Sequence, residues 1–236
     1  MVGSPRLYTV RQRPPTTTIH APARTVGKPT KCLMITALIV INANNVSIGF
    51  VGDHEPQYVV PHRGEPDLSD RLRLQAVLRV AVEALLTPPR SLRLVVIEPP
   101  LLSIHIKHQL AQVLLRDFHV SAIGFFPKSV SCLAGNQLSE GLVVDKSEKL
   151  VVPCYDFREL TPMIRGNEEE DVVEEVRVRL TIDTRKPVTS NIVTMTDESV
   201  WLGASALLKQ RQVWPLLTRD KFKARGRVWD PLYDIK

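Results

Sequence analysis

The first 31 residues contain no aspartate and no glutamate. They hold Arg6, Arg11, Arg13, Arg24, Lys28 and Lys31, six of the chain's 31 basic residues; the other 25 face 25 acidic ones, so the net charge of +6 belongs to this stretch. A formally neutral body has little of the phosphate attraction on which non-specific nucleic-acid binding rests, and no nucleic-acid partner is expected. Five prolines and few large apolar residues leave residues 1–31 unable to offset their ordering entropy, which predicts a disordered basic tail. Arginine without acid also marks mitochondrial presequences, but these prolines interrupt the amphipathic helix such a signal needs. No apolar run approaches the ~20 residues of a membrane span, and there is no apolar h-region for secretion, so no membrane partner is expected. Cysteine is scarce: Cys32, Cys132 and Cys154 have neither metal-ligand spacing nor a disulfide pattern, and point to free thiols in a reducing compartment. Ser121, Ser129 and Ser131 lack a Gly-x-Ser-x-Gly setting, which excludes a nucleophile elbow.

What is present is a globular pattern of 236 residues, 44% hydrophobic and 24% charged, enough for one large domain or two small ones. Leu33–Ile41 and Val46–Val51 read as paired strands, followed by a short strand at Tyr58–Val60 and a loop at Pro61–Pro66. Asp67 to Leu86 reads as a helix capped by Ser69 or Asp67, with Leu68, Leu72, Val77, Val80 and Ala84 on one face. Leu92–Ile97 is a strand of β-formers, Ile104–Phe118 an amphipathic helix and Val120–Phe126 a strand, after which Pro127 opens a helix through Ala134. Gly141–Val144 and Leu150–Cys154 form a strand pair; Asp171–Leu180 reads as a helix, Ile192–Met195 as a strand, and Ser199–Lys209 and Thr218–Arg225 as helices. Alternating strands and helices predict an α/β layered fold, and no repeat period is visible.

Few residues suggest chemistry. His105 and His108 can share a helix face, but no third ligand is evident, and no metal site is expected. Glu98 closes a buried strand and reads as a structural carboxylate. Glu168–Asp171 precedes a helix and complements its positive end, with an electrostatic docking patch as the alternative. Trp201, Trp214, Trp229 and Tyr233 are candidate partner-binding residues, the last three near the end of the sequence.

Six segments in order carry a family resemblance. Gly49-Phe50-Val51-Gly52-Asp53-His54-Glu55-Pro56 follows a strand–turn–strand start. Leu94-Val95-Val96-Ile97-Glu98-Pro99-Pro100-Leu101 ends a buried strand, Phe125-Phe126-Pro127-Lys128-Ser129-Val130-Ser131-Cys132-Leu133 runs from a strand into a helix, and Gly141-Leu142-Val143-Val144-Asp145 leads into a hairpin. Asp183-Thr184-Arg185 runs through Asn191 to Val193, and Ser199-Val200-Trp201-Leu202-Gly203-Ala204-Ser205 comes late. Together they resemble the actin family. Within it, Pro127, Cys132-Leu133 and Tyr155–Leu160 resemble the divergent branch that forms the pointed-end subunit of dynactin, the activator of cytoplasmic dynein.

The resemblance implies a reduced, ribonuclease H-like two-lobe fold. Lobe one would comprise residues 32–136 plus 197–236, and a cut-down lobe two residues 137–196. Short segments at Pro61–Pro66 and Thr161–Glu170 stand where the outer subdomains would be. It also implies two phosphate hairpins. Here they are Asn42-Ala43-Asn44-Asn45-Val46-Ser47 and Asp145-Lys146-Ser147-Glu148-Lys149, neither with a glycine. Ser47 stands near the family's phosphate lysine, and Pro127 replaces the glutamine that positions the attacking water. Asn42, Asn44, Asn45 and Asp145 are therefore vestigial nucleotide-binding candidates. ATP is not an expected cofactor, and no catalytic residue is expected.

By resemblance, the expected role is non-catalytic: capping dynactin's actin-like filament at its pointed end, in the cytoplasm and on the cytoskeleton. The expected partners are the filament, the other pointed-end subunits and, indirectly, dynein. Two alternatives stay open: an ATPase of the actin and sugar-kinase superfamily, and an actin-related subunit of a nuclear chromatin-remodelling complex.

Overall fold

In the computed structural model the described residues are 34–42, 44–61, 70–160, 163–165, 174, 191–210, 215–226 and 228. The basic segment 1–31, the helix expected at 171–180 (apart from Glu174), Trp214, Trp229 and Tyr233 lie outside them.

The chain opens with a meander, β1 (Ile35–Ile41), β2 (Asn45–Phe50) and β3 (Tyr58–Pro61). Helix α1 (Arg71–Ala84) leads through one 3-10 turn to β4 (Leu92–Glu98). Helix α2 (Ile104–Ala111) leads to β5 (Ala122–Pro127) and α3 (Lys128–Gly135). A second set follows: β6 (Gly141–Asp145), β7 (Leu150–Tyr155), β8 (Arg158–Glu159), β9 (Ile164–Arg165) and β10 (Ile192–Thr194). Helix α4 (Asp197–Gln210), β11 (Leu217–Thr218) and α5 (Arg219–Arg225) complete the described elements.

The strands form two mixed sheets, so the fold is mixed α/β. The first has the order β11-β5-β4-β1-β2-β3, with β4 parallel to β1 and β5, and with β2 and β3 antiparallel. The second has the order β10-β6-β7-β8, with β9 also pairing β7; β10 is parallel to β6, and β7 and β8 are antiparallel. Among the described residues each sheet therefore contains one pattern: third, second and first strand joined by two antiparallel pairs, and then a later strand parallel to the first, β4 in one sheet and β10 in the other. The repeat lies in the pairing and not in the residues, which is why no sequence period reveals it.

The first sheet is buried on both faces, and its central strands are continuous apolar runs for that reason. Ala37, Ile39 and Ile41 of β1 face a core with α1 and α2, while Leu38 and Val40 face a second core. That second core contains α3, α4 and the inner residues Val143, Val152 and Cys154 of the other sheet. Helices α3 and α4 thus pack between the sheets, in backbone contact where Gly135 meets Ser199 and Gly203 meets Ser131.

Two helices differ from expectation. Helix α1 begins later, and Asp70 caps it by accepting from the Leu72 and Arg73 N–H groups. Its buried stripe is Leu74, Leu78, Ala81 and Val82, while Leu72 and Val80 are 77% and 55% exposed. Helix α2 does not run as α-helix to Phe118: after Ala111 it widens into π turns over Gln112–Asp117.

Candidate functional site

The parallel strands β1, β4 and β5 end at one edge of the first sheet, the usual place for a site in an α/β fold. The turn after β1 is closed by the Asn42 N–H donating to the Asn45 carbonyl at 2.9 Å. The Asn42 amide Nδ2 donates to Asn45 Oδ1 at 3.1 Å, and Ser47 Oγ to the same oxygen at 3.4 Å. The structure thus brings Asn42, Asn45 and Ser47 together, and leaves Asn44 exposed at the tip.

Two residues that the sequence did not single out complete the cluster. Lys128, the first residue of α3, donates its Nζ to Asn42 Oδ1 at 3.3 Å. Asp197, the first residue of α4, accepts from Asn42 Nδ2 at 3.1 Å and lies 3.9 Å from the Lys128 Nζ. The turn is not without a cation, as its own residues suggested; the cation arrives from another element. Its one signal in the sequence is its position, directly after Pro127 at the end of a buried strand. Asp197 opposes it, because a carboxylate at this turn repels an anion.

Asp145 is buried at the end of β6, and its carboxylate is used locally. Oδ1 accepts from the Ser147 N–H at 3.0 Å, the Ser147 hydroxyl at 2.6 Å and the Glu148 N–H at 3.2 Å. It caps the β6–β7 turn as an Asx motif. Asp145→Ala should therefore cost about 2 kcal/mol in urea unfolding, from the lost charge-assisted hydrogen bonds. An unchanged midpoint would remove the capping role.

A cavity of about 550 Å³ adjoins the Asn42 cluster. Its apolar wall is Val40, Pro56, Val59, Trp201 and Leu202. Asn42, Asn45 and Ser47 also line it, and its polar rim includes His54 and the carboxylates of Glu55, Asp197 and Glu198. Trp201 is 3% exposed, and what its ring presents is part of this cavity's wall. A large ring with one donor is buried where that donor is satisfied; here Nε1 donates to the Asp53 carbonyl at 3.2 Å. The Ser205 hydroxyl donates to the same carbonyl at 2.9 Å and accepts from the Gly52 N–H at 2.7 Å, so α4 grips the Gly52–Asp53 turn.

A second polar cluster lies deeper. Glu98, at the end of β4, pairs with Lys107 of α2 at 2.7 Å, both side chains being buried. Ser129 of α3 hydrogen-bonds to Glu159 of β8. Burial raises the Glu159 carboxyl above its ordinary value, while the Ser129 hydrogen bond and the Lys107 charge pull it down. Burial pushes the Cys154 thiol up to about 12 and raises that of Cys132, so neither is a ready thiolate at neutral pH. The His108 Nε2 shares a hydrogen bond with the Gln112 amide at 3.0 Å, and its ring packs on Phe222 with centroids 5.6 Å apart. Among the described residues no group of three His, Cys, Asp or Glu is placed to hold a metal, and no helix is long and apolar enough to cross a membrane.

Compared with protein-family models and with curated proteins, the sequence matches none.

Proposed function

We propose that this chain is a reduced actin-fold subunit without catalytic activity, which ends the pointed end of dynactin's actin-like filament and so supports dynein-driven transport. The observation that carries the reading is the strand order shared by both sheets, third-second-first and then a later parallel strand, with α3 and α4 packed between them. Two such halves are what a two-lobe, ribonuclease H-like fold requires. The Trp201–Ser205 segment, part of the resemblance, lies in α4 and grips the Gly52–Asp53 turn, which belongs to another part of it.

The site favours a binding role over turnover. Neither hairpin has a glycine to bring backbone N–H groups up to a phosphate. Asn42 is held by Asn45, Lys128 and Asp197, and the Asp145 carboxylate is committed to its own turn. Termination then works through shape: the chain adds to a filament end, and its altered outer face gives the next subunit nothing to join. Lys128 favours a second reading, nucleotide binding, because it gives the first turn a cation.

One purification separates them. The tagged chain, recovered from its own cytosol at moderate salt, is expected to bring down dynactin and dynein subunits and to release no stoichiometric nucleotide on denaturation. Stoichiometric ATP would favour the second reading. Chromatin remodellers in place of dynactin would overturn the first.

A further inference from the structure

We propose that the cavity beside α4 is a recognition pocket for an arginine side chain on an extended, otherwise apolar segment of a partner protein. The inference is independent of the filament-end reading. The cavity has the volume of a ligand site, about 550 Å³, against a usual range of about 300–1,000 Å³. Its rim holds three carboxylates, and among the described residues no lysine or arginine lines it. Lys128 partly offsets Asp197 at 3.9 Å, but Glu55 and Glu198 pair with no cation among the described residues. Unpaired like charges around an apolar concavity focus a negative potential, and the complementary guest is a cation.

The remaining features narrow the class. Val40, Val59 and the Trp201 ring form an apolar wall that suits a hydrocarbon stem, with the carboxylates at the rim for the charged head. Two or three carboxylates around one opening suit the planar, multidentate guanidinium better than a point-charge ammonium. An extended guest is favoured because Val59 belongs to β3, the outermost strand of its sheet among the described residues. There Tyr58 and Val59 are 41% and 53% exposed, and an edge strand can pair with an added one.

The test uses the full purified chain and a short fluorescent peptide alternating valine and arginine, followed by anisotropy. Binding should weaken with salt, and should fall about tenfold or more in the Glu55→Gln, Glu198→Gln double variant. A citrulline-for-arginine peptide should lose binding to a similar degree. Lys128→Gln should tighten binding several-fold by freeing Asp197, a response that simple damage to the pocket would not give. Both glutamates are exposed, so an unchanged urea midpoint should accompany the loss. Equal binding of the citrulline peptide, or full binding by the double variant, overturns the proposal. So does displacement of the peptide by MgATP with unchanged nucleotide affinity in the double variant. Self-association that the same double variant abolishes would make the occupant a second copy of this chain and would also overturn it. Dynactin is absent throughout, so no result here bears on the filament-end reading.

Discussion

Gly203→Ala is expected to remove about 3 kcal/mol of stability or more, a large share of the roughly 5–15 kcal/mol that holds a domain folded. A Cβ on Gly203 would lie 1.8 Å from the Ser131 carbonyl oxygen and 2.4 Å from the Gly135 nitrogen. Across the same crossing, a Cβ on Gly135 would lie 2.0 Å from the Ser199 carbonyl oxygen. These obstacles are backbone atoms of a helix, and no rotamer change relieves them. The helices would have to separate, and α3 and α4 are held on both sides by the two sheets. Gly226→Ala is the comparison. Among the described residues its Cβ would meet nothing, so its left-handed φ of +67° is what opposes the change, and about 1 kcal/mol is expected. Urea midpoints of the two variants distinguish steric exclusion at a helix crossing from backbone strain at a cap. A Gly203→Ala protein as stable as the parent would mean that α3 and α4 do not touch through their backbones. Gly135→Ala should resemble Gly203→Ala, and the two should not add, because both open one crossing.

This crossing shows what a linear reading reaches. Gly203 stands out in the sequence as part of a Trp-Leu-Gly-Ala-Ser segment, but its reason, the approach of Ser131, is a tertiary fact. Strands β1, β4, β5, β6 and β7 were legible because each is buried and apolar over several residues. The face of α1 was not. Leu72, Val77 and Val80 compete with Leu74, Leu78 and Ala81 for the same periodicity, and only the neighbouring sheet decides between the two stripes. The π turns over Gln112–Asp117 leave no local mark, because the widened ladder serves packing and not propensity. In the candidate site, the Asn42 turn could be read and its partners could not. Lys128 is 86 positions away and Asp197 is 155. No local spacing links them; the strand order does.

Lys107→Met is expected to cost about 3–5 kcal/mol near neutral pH, because it leaves the Glu98 carboxylate buried without its ammonium. The side chains of the pair are 5% and 9% exposed and 2.7 Å apart. The Lys107 Nζ also lies 5.6 Å from the centre of the Phe125 ring, so the cation has more than one favourable neighbour to lose. The pH dependence identifies the cause. Burial already raises the Glu159 carboxyl, so the folded chain holds that proton more tightly than the unfolded one. The stability from that proton is complete below the ordinary carboxylate range and is lost as the pH climbs through the raised folded value. Removing Lys107 takes away a charge that pulls Glu159 down, and the loss then extends to higher pH. The penalty of Lys107→Met should therefore be largest in neutral to alkaline solution and should shrink in acid. A cavity alone would cost the same at every pH. Pairing Lys107→Met with Glu98→Gln should recover much of the stability, because an apolar group beside a neutral amide no longer strands a charge. Urea midpoints across pH for the single and double variants decide the matter. A flat profile for Lys107→Met would make Lys107 a packing residue and leave Glu98 with its charge satisfied by other groups.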